Sequence, residues 1–406
     1  MNKTLKRIVS VALCALLVAA VFVPAFAADE DTAALQFSKT GKFKILQVAD
    51  LQDSEMPYPA MIKALSKILD KADPDLVVLT GDNIAGGSCE TLEEAEAAIA
   101  AFMAPIVERS IPFAVTFGNH DDEGAASKEE QLAIYQTYPG CLSTDDNPEL
   151  TGCANNSLPV LSSDGEKVAF NVWMIDSNTY DEVNGGYDYV HEDQINWYKE
   201  TSKKLEAENG GLVPSIAFQH IVVPEIYELM WECDLESDIT ANYNGQNYYL
   251  LFDKDADVEG FLLEGPCPSN TNGGEMAAFL ERGDVLATVC GHDHINEYVA
   301  DYKGVDIICT PGMTFSSYGR YTVRGCRLFT INESDPWEYE TKMIHYTDVF
   351  NPVSGVFNAL YYGTDLYIYL DPIFSVFPTF DEVYESVGGV IGTYYNYINE
   401  TFSRVF

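Results

Sequence analysis

The chain has 406 residues, of which 47% are hydrophobic and 12% aromatic, far too apolar for a disordered polypeptide. Twenty-three Lys plus Arg against sixty-three Asp plus Glu give a formal charge of -40, which leaves no electrostatic footprint for phosphate-backbone recognition and excludes nucleic acid as an expected partner. Only six histidines are present, so their positions are an economical test for a metal or acid/base site.

The first 27 residues read as a secretory signal peptide. Lys3, Lys6 and Arg7 precede an apolar run from Ile8 to Val23, and Ala25-Phe26-Ala27 has the small-x-small pattern of a cleavage site. The run is short of the ~20 residues a membrane span needs, so export with removal is expected over anchoring, and the protein is expected to be extracellular or at the cell surface. Removal near Ala27 takes away three basic residues and no acidic one, moving the formal charge from -40 to -43. Cys14 leaves with the signal; of the remaining cysteines, Cys141 and Cys153 bracket a polar loop and are the expected disulfide.

Residues 28–40 form a polar lead-in. From 41 to 346 apolar strand-like runs alternate with helix-period segments, which implies an α/β domain. Expected strands in chain order are Phe43–Ala49, Leu76–Thr80, Phe113–Phe117, Val168–Ile175, Ser215–Gln219, Val285–Cys290, Val305–Cys309 and Cys326–Ile331. Ile62, Leu65, Ile68 and Leu69 mark one helical face, and Leu92–Val107 opens with a Thr91/Glu94 capping box. Stretches 137–157 and 232–272 read as loops. Residues 347–406 differ in character: fifteen of the sixty are aromatic and Arg404 is the sole basic residue. That extension is expected to pack on the domain rather than contact a membrane or cell surface.

Five expected strands end in a hard donor. Asp50 follows the first, Asp82 the second, Asn119 and His120 the third; His220 follows Ser215–Gln219, and His292, Asp293 and His294 follow Val285–Cys290. Ligands in open α/β sheets bind beyond the carboxyl ends of strands, so these groups converge on one rim. Gly81, Gly118 and Gly291 each precede a donor, where the missing Cβ permits a sharp turn. Two carboxylates, an amide oxygen and three imidazoles suit a pair of divalent first-row ions better than calcium or structural zinc. Ions ~3.5–4 Å apart can direct a bridging hydroxide at phosphorus while holding the non-bridging oxygens.

The ordered set D-x-Q, G-D, G-N-H-D, H, G-H-D-H resembles the calcineurin-like metallophosphoesterases over about residues 42–345. Gly118-Asn119-His120-Asp121-Asp122-Glu123-Gly124, with Asp176-Ser177, Gly186-Tyr187-Asp188-Tyr189 and Tyr318-Gly319, is most similar to the purple-acid-phosphatase-like branch. The resemblance implies a four-layer αββα fold, a β-sandwich flanked by helices, holding two divalent ions (Mn, Fe or Zn). It implies that Asp82 bridges both ions, that Asp50 and His294 hold the first, and that Asn119, His220 and His292 hold the second. His120 would act on the leaving group as acid, with Asp121 orienting its ring. His191 and His345 are expected to be structural or surface groups.

Two departures stand out. Most of the superfamily has D-x-H where this chain has Asp50-Leu51-Gln52, so Gln52 would ligate through an amide oxygen, a donor that favours Mn²⁺ or Mg²⁺ over zinc. Ala85 stands where purple acid phosphatases place a metal-bound tyrosine, so a colourless protein is expected. The implied activity is hydrolysis of small phosphomonoesters or phosphodiesters. A D-x-Q also occurs in diphosphatases of the ADP-ribose and CDP-alcohol type, which makes such substrates the alternative; a non-catalytic surface-binding protein on the same scaffold is a third reading.

Overall fold

A computed structural model describes residues 34–350 except Tyr321. The expected signal peptide and most of the aromatic extension lie outside the described residues.

In chain order the elements are β1 (Lys42–Val48), α1 (Pro59–Ala72), β2 (Leu76–Thr80), α2 (Leu92–Val107), β3 (Phe113–Thr116), α3 (Lys128–Tyr135), β4 (Asn156–Leu161), β5 (Val168–Met174), α4 (Glu192–Asn209) and β6 (Ser215–Phe218). There follow β7 (Met230–Cys233), β8 (Thr240–Tyr243), β9 (Gln246–Phe252), β10 (Val258–Phe261), α5 (Glu275–Arg282), β11 (Val285–Cys290), β12 (Glu297–Tyr302), β13 (Val305–Cys309), β14 (Gly325–Asn332), β15 (Asp335–His345) and α6 (Tyr346–Val349). The strands form one sheet of order β15-β14-β1-β2-β3, a second of order β10-β12-β13-β11-β6-β5-β4, and a small sheet β7-β9-β8.

Strand periodicity builds the layers. Phe43 and Ile45 of β1, Leu76 and Val78 of β2 and Ala114 of β3 point between the two large sheets, where they meet Phe170, Val172, Ile216, Phe218, Ala287 and Val289. The alternate residues Leu46, Val48, Val77, Leu79 and Val115 point outward onto α1, α2 and α3, through Ala64, Leu65, Ile68, Ile99, Phe102 and Leu132. On the other side Trp173, Ala217 and Ile307 pack on Tyr198 of α4 and Phe279 of α5. Strands buried on both faces explain the continuous apolar runs in the sequence, and the result is the four-layer αββα sandwich.

Local signals match these elements. Pro59 begins α1, where its missing N–H costs nothing, and Asp73 closes it in the left-handed region at φ 47°. The Thr91/Glu94 capping box is formed in both directions at the start of α2. Leu35 and Phe37, assigned to the polar lead-in, pack in the sandwich core, and Gln36 bridges to Leu161. Cys141 and Cys153 do not form the expected disulfide: all cysteines from Cys89 to Cys326 are free thiols. Cys141 lies instead against Phe113 of β3, and the Cys153 amide is spent on the Asp176 carboxylate.

Candidate metal centre

Within the first sheet β1, β2 and β3 run parallel, and within the second β5, β6, β11 and β13 do. Their carboxyl ends therefore deliver Asp50, Asp82, Asn119, His220, His292 and His294 as the chain leaves each core strand. The backbone there is unusual. Asp50, Gln52, Asp82 and His292 adopt φ of 51°, 43°, 49° and 70°, the left-handed region that residues with a Cβ rarely enter. Four non-glycine residues in that region around one cluster indicate strain held by the surrounding structure at a functional site. The glycines are required for closeness as much as for turning: a Cβ on Gly118 would lie 2.3 Å from Asp82 Oδ1, and one on Gly291 2.5 Å from Asp50 Oδ2.

Two triads of buried donors result, Asp82/His220/His292 and Asp50/Asp82/His294, each with its ligand atoms within 4.8 Å of one another. Asp82 is common to both. Its Oδ2 lies 3.3 Å from His220 Nε2, and Asp50 Oδ1 lies 3.6 Å from His294 Nε2. His220 Nδ1 donates to the Thr80 carbonyl (3.0 Å) and His294 Nδ1 to the Tyr318 carbonyl (2.9 Å), which turns each Nε2 into the cluster, that of His220 lying 3.2 Å from His292 Nδ1. The Tyr318 ring stacks on His294 and the Tyr187 ring meets His292 edge-on, so aromatic walls fix two imidazoles.

Three further donors are buried without a hydrogen-bond partner among the described residues: Gln52 Oε1, Asn119 Oδ1 and His292 Nε2. An unpartnered buried acceptor is costly, and a cation is the natural partner for an amide oxygen or an imidazole lone pair. Gln52 is held beside the cluster by its Nε2, which donates to Asp82 Oδ2 at 3.3 Å. The donor set fits two divalent ions sharing Asp82. Electrostatics agree. Burial pushes the Asp50 carboxyl well above the carboxylate range; burial opposes charge on His220, yet the Asp82 and Asp50 carboxylates push it up to about 10. Burial and the neighbouring His220 charge push His292 down to about 3. Crowded carboxylates and imidazoles share protons that a bound cation replaces.

Asp121 does not orient His120. Its Oδ1 accepts the Asn83 and Ile84 amides at 2.9 and 3.1 Å, and its Oδ2 accepts the Gly118 amide at 2.8 Å. It thereby braces the loop carrying Asp82 against the loop carrying Asn119. The reason is local geometry. His120–Asp122 is a 3₁₀ turn, in which side chains three apart eclipse, so Asp121 points inward and Glu123 shares the face of His120. Glu123 Oε2 lies 2.6 Å from His120 Nδ1, and Glu123 Oε1 accepts the Tyr180 hydroxyl at 2.6 Å. Asn119 Nδ2 donates to the same hydroxyl at 3.0 Å, which turns the amide so that its oxygen is left free. Glu123 could have been found from the i, i+3 spacing after Asn119-His120; Tyr180, sixty residues on, had no local signal. His191 caps α4 and pairs with Asp188, and His345 pairs with Glu297, both away from the cluster.

The calcineurin-like phosphoesterase family matches residues 43–296, the span that carries every one of these donors. The chain belongs to the calcineurin-like phosphoesterases. This family member is 28% identical over 351 residues to the Arabidopsis thaliana protein named "Probable inactive purple acid phosphatase 14", covering 78% of this chain and 81% of that protein. It is 31% identical over 303 residues to "Phosphatase DCR2" of Saccharomyces cerevisiae, covering 68% of this chain and 48% of that one. Among solved structures it is similar to a dimetal phosphatase from Danio rerio, with a TM-score of 0.45 and 13% identity over 75% of this chain and 99% of that one. Purple-acid-phosphatase relatives are those the motif pattern implied.

Proposed function

We propose that this phosphoesterase is exported and hydrolyses small phosphomonoesters or phosphodiesters with two divalent ions. The carrying observation is Asp82, shared by two buried triads that also leave Gln52, Asn119 and His292 donors unpartnered. In this reading Asp50, Gln52, Asp82 and His294 hold one ion, and Asp82, Asn119, His220 and His292 the other. The ions supply Lewis-acid polarisation of the phosphoryl group and activation of the attacking water. The amide donor at Gln52 favours manganese at the first position.

The chain's own residues do the rest. The His120 side chain is 41% exposed at the rim while Asp82 beside it is 1% exposed, so His120 is the group a substrate reaches. Its amide donates to Asp82 Oδ1 at 2.8 Å and its Nε2 lies 4.0 Å from Asp82 Oδ2. With Nδ1 engaged by Glu123, Nε2 is the atom that passes a proton to the leaving oxygen. Colour is not expected, because Ala85 stands where a metal-bound tyrosine would have to supply the charge-transfer band.

The test is to load the mature chain with Mn²⁺, Fe or Zn²⁺ and assay aryl phosphates, bis-aryl phosphates and a nucleoside diphosphate ester. Turnover that is lost in Asp82→Asn and His292→Ala is the expected result. Faster turnover of the diphosphate would select the diphosphatase alternative. Two bound ions per chain with no turnover of any ester would make this a binding protein, in line with the "inactive" label on the plant relative. Among the described residues no helix is long and apolar enough to cross a membrane; N-terminal sequencing of the exported chain, expected to begin at Ala28, tests the localisation.

A further inference from the structure

A second group of unpartnered oxygens lies outside the dinuclear centre. A cavity of ≈ 20 Å³ is lined by Gln219 after β6, Glu225 in the 3₁₀ turn Pro224–Leu229, Glu275 at the first residue of α5, and parts of segments 188–190 and 269–273. Gln219, Glu225 and Glu275 are only 2%, 8% and 7% exposed. Each spends one polar atom fixing itself. Gln219 Nε2 donates to the Ile221 carbonyl (2.8 Å) and to Glu275 Oε2 (3.3 Å), and Asn272 Nδ2 donates to Glu225 Oε1 (2.9 Å). Each then leaves one oxygen, Gln219 Oε1, Glu225 Oε2 and Glu275 Oε1, with no hydrogen-bond partner among the described residues.

With both carboxyls ionised, all three orphans are acceptors, and two belong to carboxylates. A water molecule has two protons to offer three oxygens and compensates neither charge. Nothing cationic acts on the Glu275 carboxyl, which feels burial, the Gln219 amide and the like charge of Glu225. A hard cation meets every one of these demands. The set is oxygen only, with carboxylates able to bind through one or both oxygens, which suits calcium rather than zinc or copper. The cavity also has room for about one water beside the protein oxygens.

We propose that Gln219, Glu225 and Glu275 form a calcium-class cation site, separate from the dinuclear centre, that ties segment 219–225 to the start of α5. Gln219 directly precedes His220, so the cation braces the strand end that carries a ligand of the dinuclear centre. It stabilises the fold without touching substrate.

The test uses the mature chain loaded with Mn²⁺ and dialysed to equilibrium against radiolabelled Ca²⁺, with both metals counted per chain. Expected are one Ca²⁺ with an affinity below about 1 mM, unchanged Mn²⁺ content, and a melting temperature raised by Ca²⁺. Glu225→Gln and Glu275→Gln, isosteric and able to keep one amide contact each, should weaken Ca²⁺ binding at least tenfold and abolish the Ca²⁺-dependent rise in melting temperature while keeping Mn²⁺. No Ca²⁺ retained by the parent, or equal retention by both variants, overturns the proposal. If one variant fails to fold by circular dichroism, the other decides. Neither readout depends on phosphoesterase activity, so this result and the fate of the proposed function are independent.

Discussion

Glu123, not the adjacent Asp121, is the carboxylate in contact with His120: Oε2 lies 2.6 Å from His120 Nδ1, and the same side chain accepts the Tyr180 hydroxyl through Oε1. Glu123 is thus a positioning residue for the proposed acid, and Tyr180 links it to the Asn119 amide. Glu123→Gln should lower kcat by ~10–100-fold, the usual cost of losing an orienting carboxylate behind a working group. KM and metal content should be unchanged, because Glu123 touches neither the triads nor their ions. Tyr180→Phe should cost about tenfold, since it removes the hydroxyl's two hydrogen bonds, to Glu123 and from Asn119, but leaves the Glu123 contact with His120 in place. Steady-state kinetics paired with metal analysis checks both; a metal loss that tracks the rate loss would mean that Glu123 supports the centre rather than the acid.

Gln52 sets the second prediction. It sits at φ 43°, a conformation in which His is several-fold enriched among non-glycine residues, so Gln52→His fits the backbone. Exchanging an unpartnered amide oxygen for an imidazole lone pair should shift the first ion from Mn²⁺ toward Zn²⁺ by about tenfold in relative affinity. Gln52→Ala should lower occupancy of that position alone, leaving the Asp82/His220/His292 triad loaded. Metal content after competitive loading measures both; an unchanged Mn²⁺ to Zn²⁺ ratio in Gln52→His would place residue 52 outside the coordination shell.

What could be read from the sequence follows from what is local. Each central strand is buried on both faces, so its apolar run is continuous and its end is marked by a glycine or a polar donor; that made β1, β2, β3, β6, β11 and β13 visible with the groups they deliver. Edge strands gave no such signal. In β15 exposed Glu338 and Glu340 alternate with half-buried Tyr339 and Thr341, and β7, β8 and β9, within the 232–272 stretch or at its border, form a small separate sheet whose strands are at most half buried along most of their length, so no continuous buried apolar run marks them. The donors were legible as an ordered set, but Asp121 was misread because spacing along the chain does not say which way a 3₁₀ turn points its side chains. Lys128 and Tyr180 depend on long-range partners that no spacing reveals.

Lys128 and Asp176 supply the third prediction. The pair is buried, with Nζ 3.0 Å from both carboxylate oxygens, and it joins the start of α3 to the second residue beyond β5. Asp176 also accepts the Cys153 amide at 2.8 Å and the Asn178 amide at 2.9 Å, so its charge anchors two loops as well. Burial opposes charge on Lys128, but Asp176 more than offsets it and the ammonium is held above its usual range. Lys128→Met would strand a buried carboxylate, at a cost of about 3–5 kcal/mol. Urea unfolding measures it; a loss under about 1 kcal/mol would show that Asp176 is neutralised by other means.

The last prediction concerns pH. Burial pushes the Glu275 carboxyl up to about 8, with the Glu225 charge adding to the shift and the Gln219 amide opposing it; Asp188 is the other carboxylate lining the cavity. A carboxyl raised in the fold binds its proton where the unfolded chain, with an ordinary value near 4.3, has lost it. Stability contributed by this group is therefore complete below pH ~4, falls as pH rises through the interval, and levels off above about 8, a decline on the order of 5 kcal/mol. Without calcium the melting temperature should fall from pH 5 to pH 8, and Glu275→Gln, which carries no charge to desolvate, should flatten that decline. Saturating calcium should flatten it as well, because the cation takes the place of the proton. Melting curves across this range, with EGTA or with Ca²⁺, measure all three; an equally steep decline in Glu275→Gln would assign it to another buried group.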